Sequence, residues 1–184
     1  MIITITGDPG SGKSTIGKRL AKELGFKRYY IGQLRRDAAK KRDMTLAQYN
    51  AYGEEHPETD YEVDDYQKDL GKNEDQFIIE GRTSWFLIPH SIKLYVAVDP
   101  QEGARRVFSD LQESDARNED SDLHNVADVV ESHERRKKSD HYRYQKYYNI
   151  DCSDLSQYDL VIDTTKLNKE EAYKQVRDYI SEKE

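Results

Sequence analysis

Apolar and polar positions follow two different periods along this chain. Five short runs of β-branched, aromatic and other apolar residues have the pattern of buried strands, at residues 2–6, 28–31, 76–80, 92–98 and 158–163. Between these runs apolar residues recur every three or four positions, as on one face of a helix, at residues 13–24, 33–43, 45–55, 59–72, 100–113, 126–147 and 169–182. This alternation predicts an α/β fold built on a mostly parallel sheet.

Three of the predicted helices begin at clear capping signals. Thr45 and Asn168 each stand three residues before a Gln or Glu, which is the spacing of a capping box. Asp99 precedes Pro100, so a capping carboxylate is followed by proline at the first helical position. These residues therefore set helix boundaries and carry no chemistry of their own.

The segment between the first predicted strand and the first predicted helix reads Gly-Asp-Pro-Gly-Ser-Gly-Lys-Ser at residues 7–14. It fits the phosphate-loop pattern, in which two glycines separated by four residues are followed by Lys and Ser or Thr. Backbone N–H groups of such a loop, together with the N-terminus of the next helix, surround an anion. Lys13 would reach the β- and γ-phosphates, and the Ser14 hydroxyl would bind Mg²⁺. The alternative is a glycine-rich turn without a ligand, but the flanking strand and helix favour a nucleoside triphosphate site.

Charge and polarity narrow the choice of partners. The 184 residues carry a formal net charge of −7, and the pI is about 5.3, which argues against nucleic acid or a membrane surface as a partner. The mean hydropathy of −1.02 approaches that of disordered chains. However, fourteen tyrosines supply amphipathic bulk, and the apolar residues are gathered into strand-like runs, so we expect a folded domain.

The number of cysteines and the length of the apolar runs indicate the kind of compartment and exclude some kinds of site. Cys152 is the sole cysteine in the sequence, so neither an internal disulfide nor a cysteine metal cluster is expected. The sequence has no apolar run of 18 residues and no signal-peptide pattern. We therefore expect a cytoplasmic monomer that binds small molecules.

Arginines follow the ends of two further predicted strands. Gly32 and Arg36 come after the second strand, and Glu80, Gly81 and Arg82 close the third. In open α/β sheets, ligands collect at the carboxyl ends of the strands. Arg82 could hold an acceptor phosphate through two hydrogen bonds, and Glu80 could orient Mg²⁺ through water.

A third group of charged residues lies on one long predicted helix. Arg136, Asp140 and Arg143 are spaced four and three residues apart and so share one helical face. The polar segment 112–125 before this helix is either a surface loop or the tip of a lid, and the arginines favour the lid. Each arginine alone could be a solvated helix charge. Next to a phosphate loop they predict a small-molecule phosphoryl transferase, because that reaction needs charge stabilisation and exclusion of water.

On these residues the chain resembles nucleoside-monophosphate kinases of the P-loop class, most closely the short, archaeal-type cytidylate kinases. The matching segments are residues 7–15, 25–60, 78–86 and 139–164, and the last of these contains the most family-specific run. The resemblance implies a three-layer P-loop kinase fold, with helices on both faces of a mostly parallel five-stranded sheet. It further implies transfer of the γ-phosphate of ATP, with Mg²⁺, to CMP or dCMP.

The resemblance also implies a domain layout and residue roles. We expect one domain over residues 1–184, with a core at 1–31, 76–111 and 150–184, an acceptor-binding helical insertion at about 32–75 and a lid at about 112–147. The expected ATP-binding residues are Gly7, Gly10, Ser11, Gly12, Lys13, Ser14, Thr15 and Thr164. The expected acceptor-binding residues are Gly32, Arg36, Gly81, Arg82, Asp140 and Arg143. Catalysis is assigned to Lys13, Arg82, Arg136 and Arg143, and metal binding to Ser14 and, through water, Glu80.

Alternative functions remain open at this stage. Within the kinases, the acceptor could be AMP, UMP or a non-nucleotide such as shikimate. Asp110 stands where related kinases often carry an arginine, which raises the possibility of a nucleotide-binding regulatory module without transfer activity. A nucleic-acid-linked ATPase is disfavoured by the negative charge.

Several other residues have a structural and a functional interpretation. Trp85 either walls the base pocket or, as we favour, anchors a short helix to the core. Asp60, Asp64 and Asp65 could read a base or ribose, but we expect them to form a solvated helix face.

Overall fold

The computed structural model describes residues 1–113 and 123–183, so most of the predicted lid tip lies outside the described residues. Within them, the chain forms a five-stranded sheet in the order β2-β3-β1-β4-β5, and every neighbouring pair is parallel. The strands are β1 (Ile2–Gly7), β2 (Lys27–Tyr30), β3 (Phe77–Glu80), β4 (Ile92–Ala97) and β5 (Leu160–Asp163). Because all strands run in the same direction, their carboxyl ends lie along one edge of the sheet. The P-loop follows β1 at the centre of that edge.

The helices match the predicted apolar periodicity closely. They are α1 (Lys13–Leu24), α2 (Ile31–Lys40), α3 (Leu46–Gly53), α4 (Glu58–Asn73), α5 (Ser84–Leu87), α6 (Pro100–Glu113), α7 (Val126–Tyr148) and α8 (Lys169–Ser181). The four-residue α5 is the short helix expected around Trp85, although no bounds were predicted for it, and a 3₁₀ turn at Leu155–Gln157 was not predicted, since elements this short show no period. None of the helices among the described residues has the length and apolar content needed to span a membrane.

The predicted helix starts are confirmed. Thr45 and Asn168 both form capping boxes, in which the side chain accepts a hydrogen bond from the N3 backbone and the N3 side chain accepts one from the cap backbone. Asp99 accepts hydrogen bonds from the backbone N–H groups of Gln101 and Glu102 at 3.0 Å each. These contacts satisfy donors that the first helical turn leaves unpaired.

Both faces of the sheet are covered, because side chains alternate along each strand. Ile78 of β3 packs on one face with Leu20 of α1 and Val176 of α8. Its neighbours Phe77 and Ile79 point to the opposite face and pack with Leu70, Ile88 and Ile31 from α4, the segment after α5, and α2. The result is a three-layer arrangement that leaves the carboxyl edge of the sheet open for a ligand.

Candidate active site

The P-loop has the backbone conformation of an anion cradle. Gly10 and Gly12 adopt φ values of 75° and 83°, in the left-handed region that favours glycine. A Cβ atom on Gly10 would lie 2.2 Å from the backbone oxygen of Gly103 in α6, so no side chain fits there. Gly12 is the N-cap residue of α1, so the positive end of the helix dipole faces the loop.

The P-loop lysine lies among other cations. Lys13 Nζ donates a hydrogen bond to the Asp8 backbone oxygen at 3.0 Å. Burial, then the neighbouring charges of Arg82 and Arg136, lower the pKa of Lys13 to about 7. Three cationic side chains that disfavour one another's charge would be stabilised by an anion bound among them. The buried Ser11 hydroxyl nearby has no hydrogen-bond partner among the described residues.

Ser14 and Glu80 form the predicted metal-binding pair. The Ser14 hydroxyl donates to Glu80 Oε2 at 2.7 Å, and Glu80 is 1% exposed. Arg28 of β2 donates from Nε to the other carboxylate oxygen at 2.6 Å, a contact that was not predicted. The pair supplies hard oxygen ligands, and Mg²⁺ commonly takes one or two of these from the protein and the rest from phosphates and water.

Arg82 and Asp140 connect the end of β3 to α7. Arg82 donates to the Gly7 backbone oxygen at 3.1 Å, and its Nε lies 3.2 Å from Asp140 Oδ2. Burial opposes ionisation of Asp140, but Arg143, Arg82 and Arg136 together hold its pKa below the usual value. These contacts bring the β3 arginine and the α7 face to the P-loop, as the sequence predicted.

Arg143 does not occupy the position expected of it. Its side chain is fully buried, and its guanidinium pairs with Asp60 of α4 and Asp140. Unlike Arg136, it does not line the cleft. The structure therefore places the guanidinium between two carboxylates and not against the cleft, and its contact with an acceptor phosphate stays a prediction. Arg143 holds two carboxylates in place behind the cleft wall.

On α2 the predicted arginine and its neighbour have different environments. Arg36 lines the cleft, and its Nη1 donates to the Tyr30 hydroxyl and to the Gly32 backbone oxygen, both at 3.1 Å. Arg35, which was not predicted, is buried and donates to Asp60 Oδ1 at 2.8 Å.

The expectation of a solvated face on α4 is wrong for two of its three carboxylates. Asp60 and Asp64 are 2% and 3% exposed, and both line the cleft together with Val63. Asp65 is exposed and pairs with Lys68 at 2.8 Å. The spacing of Asp60, Val63 and Asp64 places them on one helical face, a signal that could have identified this pair from the sequence.

The segment after β5 closes the other side of the P-loop. Thr164 is buried, and its hydroxyl lies 2.9 Å from the Ser11 backbone oxygen. Arg106 of α6 donates to the Thr164 backbone oxygen at 2.9 Å and to Glu102 Oε1 at 2.7 Å. Arg106, with the predicted Thr164, therefore lies at the expected position of the nucleotide donor.

A second contact between α7 and the P-loop was not foreseen. Lys137 Nζ lies 2.8 Å from Asp8 Oδ1. Asp8 also accepts from the Tyr95 hydroxyl at 3.2 Å and from the Val98 backbone at 3.3 Å. Asp8 fills a variable position of the P-loop pattern, so only its partners reveal that it holds α7 against the loop.

These groups surround a cleft of about 830 Å³, within the usual range for small-molecule sites. Of the predicted site residues, only Arg143 is missing from its lining, which includes Gly7, Gly10, Ser11, Gly12, Lys13, Ser14, Thr15, Gly32, Arg36, Glu80, Gly81, Arg82, Arg136, Asp140 and Thr164. Trp85 lies outside it and packs with Tyr95 and Tyr158, which fits the anchoring role. The residues described around the cleft include no group of three or more His, Cys, Asp or Glu side chains able to hold a metal.

Comparisons with known proteins agree with this geometry. The family model described as "AAA domain" matches residues 3–156. A cytidylate kinase of Archaeoglobus fulgidus is 35% identical over 171 residues, covering 92% of this chain and 89% of the relative. A cytidylate kinase of Pyrococcus abyssi is 34% identical over 187 residues, covering 100% of this chain and 97% of the relative. Among solved structures, a shikimate kinase from Bacteroides thetaiotaomicron superposes with a TM-score of 0.64 at 12% identity over 98% of both chains, a likeness of fold alone.

Proposed function

The chain belongs to the cytidylate kinase family of P-loop proteins with an AAA domain, and from that premise we propose that it transfers the γ-phosphate of ATP to CMP or dCMP. Such an enzyme is a nucleoside-monophosphate kinase, and its products are the nucleoside diphosphate and ADP. The observation that carries the proposal is the convergence of Lys13, Arg82 and Arg136 on one cleft.

The two ends of the cleft have the features of a donor site and an acceptor site. The P-loop, Arg106 and Thr164 form the donor end, where the phosphates and adenosine of ATP would bind. Arg36 and Arg82 line the acceptor end, where they could hold the phosphate of the monophosphate. Because described residues of one chain form both ends, we propose that a monomer suffices for catalysis.

Ser14 and Glu80 fit a magnesium ion, since a hydroxyl and a buried carboxylate are oxygen donors already in contact. When bound there with the nucleotide, Mg²⁺ would neutralise charge on the β- and γ-phosphates. Arg28 holds Glu80 in the orientation that presents Oε2 to Ser14.

The protein's own groups mainly position the reactants and stabilise charge. The acceptor phosphate oxygen is already a nucleophile, so no strong general base is required. Binding of phosphate raises the proton affinity of Lys13, which restores its positive charge next to the transferring group. Arg82 and Arg136 add charge from a second side, and such preorganised stabilisation is commonly the largest catalytic contribution.

A coupled assay of ADP release across CMP, dCMP, UMP, AMP, GMP and shikimate tests the proposal. We expect the highest kcat/KM with CMP or dCMP. Lys13→Ala should lower kcat by at least about 100-fold, whereas Lys18→Ala, an exposed lysine of the same helix, serves as the matched control and should not. A preference for AMP or shikimate, or ATP binding without ADP formation with any acceptor, would contradict the proposal.

A further inference from the structure

The acceptor end of the cleft contains a buried carboxylate without a cationic partner. Asp64 is 3% exposed and lines the cleft beside Val63 and Ile31. Its neighbour Asp60 is committed to Arg35 and Arg143. Asp64 forms no ion pair with any described residue, and burial raises its pKa to about 6. Burying a carboxylate without a cationic partner costs free energy, and ionisable groups in such environments are often found at functional sites.

Neutral donors fix the orientation of this carboxylate. Asp64 Oδ1 accepts from the Thr83 hydroxyl at 2.8 Å and from Gln67 Nε2 at 2.7 Å. Gln67 is itself fixed, because its Oε1 accepts from the Ser84 hydroxyl. Burial raises the pKa of this carboxylate, and the nearby Tyr148 hydroxyl opposes that rise. The other carboxylate oxygen, Oδ2, is buried and has no hydrogen-bond partner among the described residues, so it is the acceptor that remains for a ligand in the cleft.

We propose that Asp64 is a specificity-determining residue that accepts a hydrogen bond from the exocyclic amino group of the acceptor base. The proposal deepens the proposed function and rests on it. A carboxylate accepts from the 4-amino group of cytosine, whereas uracil presents an acceptor oxygen at the same position. Two acceptors facing each other repel, so Asp64 would favour CMP over UMP. The apolar Ile31 and Val63 side chains provide the adjacent surface for a flat ring.

The position of Asp64 follows from the fold. Thr83 stands directly after Arg82, which we assign to the acceptor phosphate, and Asp64 contacts Thr83. The carboxylate is therefore tied to the same strand end that holds the phosphate. Asp64 and Asp60, one helical turn apart on α4, both line the cleft next to that strand end.

The test compares kcat/KM for CMP and UMP in the wild type, Asp64→Asn and Asp65→Asn. We expect Asp64→Asn to lower the CMP to UMP ratio by about 10- to 100-fold, mainly through KM for CMP, since an amide can donate to the uracil oxygen. The exposed Asp65 on the same helix is the matched control, and its variant should keep the wild-type ratio. Equal losses with both acceptors, or no change in the ratio, would mean that Asp64 is structural and would overturn the proposal.

A second measurement needs no variant and so does not depend on folding of Asp64→Asn. The wild type is assayed with a CMP analogue in which hydrogen replaces the 4-amino group. We expect its KM to exceed that of CMP by about 10-fold or more, and equal KM values would overturn the proposal. A wild type that does not phosphorylate CMP would instead refute the proposed function itself, so the two failures are distinguishable.

Discussion

Asp64→Asn is expected to stabilise the protein at neutral pH and to leave its stability almost unchanged near pH 4. Burial raises the pKa of Asp64 from 3.8 to about 6. At a pH between these two pKa values, Asp64 keeps its proton in the folded protein but has released it in the unfolded chain. The folded state then binds more protons, so its stability falls as the pH rises through this window, and the loss is complete above about pH 6.

The size of the effect follows from the same pKa values. A tenfold change in proton affinity corresponds to about 1.4 kcal/mol, so the move from 3.8 to about 6 corresponds to roughly 3 kcal/mol of lost stability at neutral pH. Asparagine keeps the shape of the protonated acid, and its oxygen can still accept from Thr83 and Gln67. One kcal/mol shifts Tm by about 2–4 °C in a domain of this size. The advantage of the variant in Tm should therefore grow by about 6–12 °C from pH 4 to pH 8.

Thermal and urea unfolding of wild type, Asp64→Asn and Asp65→Asn between pH 4 and pH 8 measure this difference. The exposed Asp65 provides the control, and its variant should follow the wild-type curve. A stability difference between Asp64→Asn and wild type that does not change with pH would refute the reasoning, as would a stability advantage of the variant that is smaller at pH 8 than at pH 4. Together with the selectivity test, the expected result would show a carboxylate that lowers stability while it serves recognition.

Three further predictions concern other parts of the site. Arg143→Met should destabilise the protein by about 3–5 kcal/mol in urea unfolding, because it leaves two buried carboxylates without their shared cation; an unchanged midpoint would contradict the buried pairing. Gly10→Ala should raise KM for ATP by more than about tenfold with the fold intact, because its Cβ would meet the Gly103 backbone oxygen at 2.2 Å; wild-type KM would show that the loop readily opens. Arg28→Met should raise the Mg²⁺ concentration needed for half-maximal activity by about tenfold, because Glu80 loses the group that orients it. An unchanged magnesium titration would contradict this orienting role of Arg28.

The sequence predicted the secondary structure well because its signals are local. The observed α1 and α6 begin and end at the predicted residues, and β3 differs by one residue. The cap at Thr45 needs only the residues that follow it. The P-loop could also be predicted from the sequence, since its conformation depends on glycines within one short segment.

The sequence could not show which charged side chains would be buried together. Arg143 and Asp140 share a helical face, so the sequence predicted that both would face the ligand. Packing of α7 against α4 instead places Asp60 next to Arg143 and encloses that guanidinium. The same packing turns Asp64 from an expected surface residue into part of the cleft wall. The spacing of Asp60, Val63 and Asp64 shows that they share a helical face, but whether that face is buried depends on the neighbouring element.

By itself, the sequence determined the strands, the helices, the phosphate loop and the resemblance to cytidylate kinases, because each rests on the periodicity or identity of residues close together in the chain. The tertiary structure alone decided the contacts of Glu80 with Arg28 and of Asp8 with Lys137. Arg28 and Glu80 stand 52 positions apart, and the parallel pairing of β2 with β3 brings them together. The energy of two charges depends on the distance between them in space and not on their separation along the chain, so the charges that tune this site could be assigned only once the fold had set those distances.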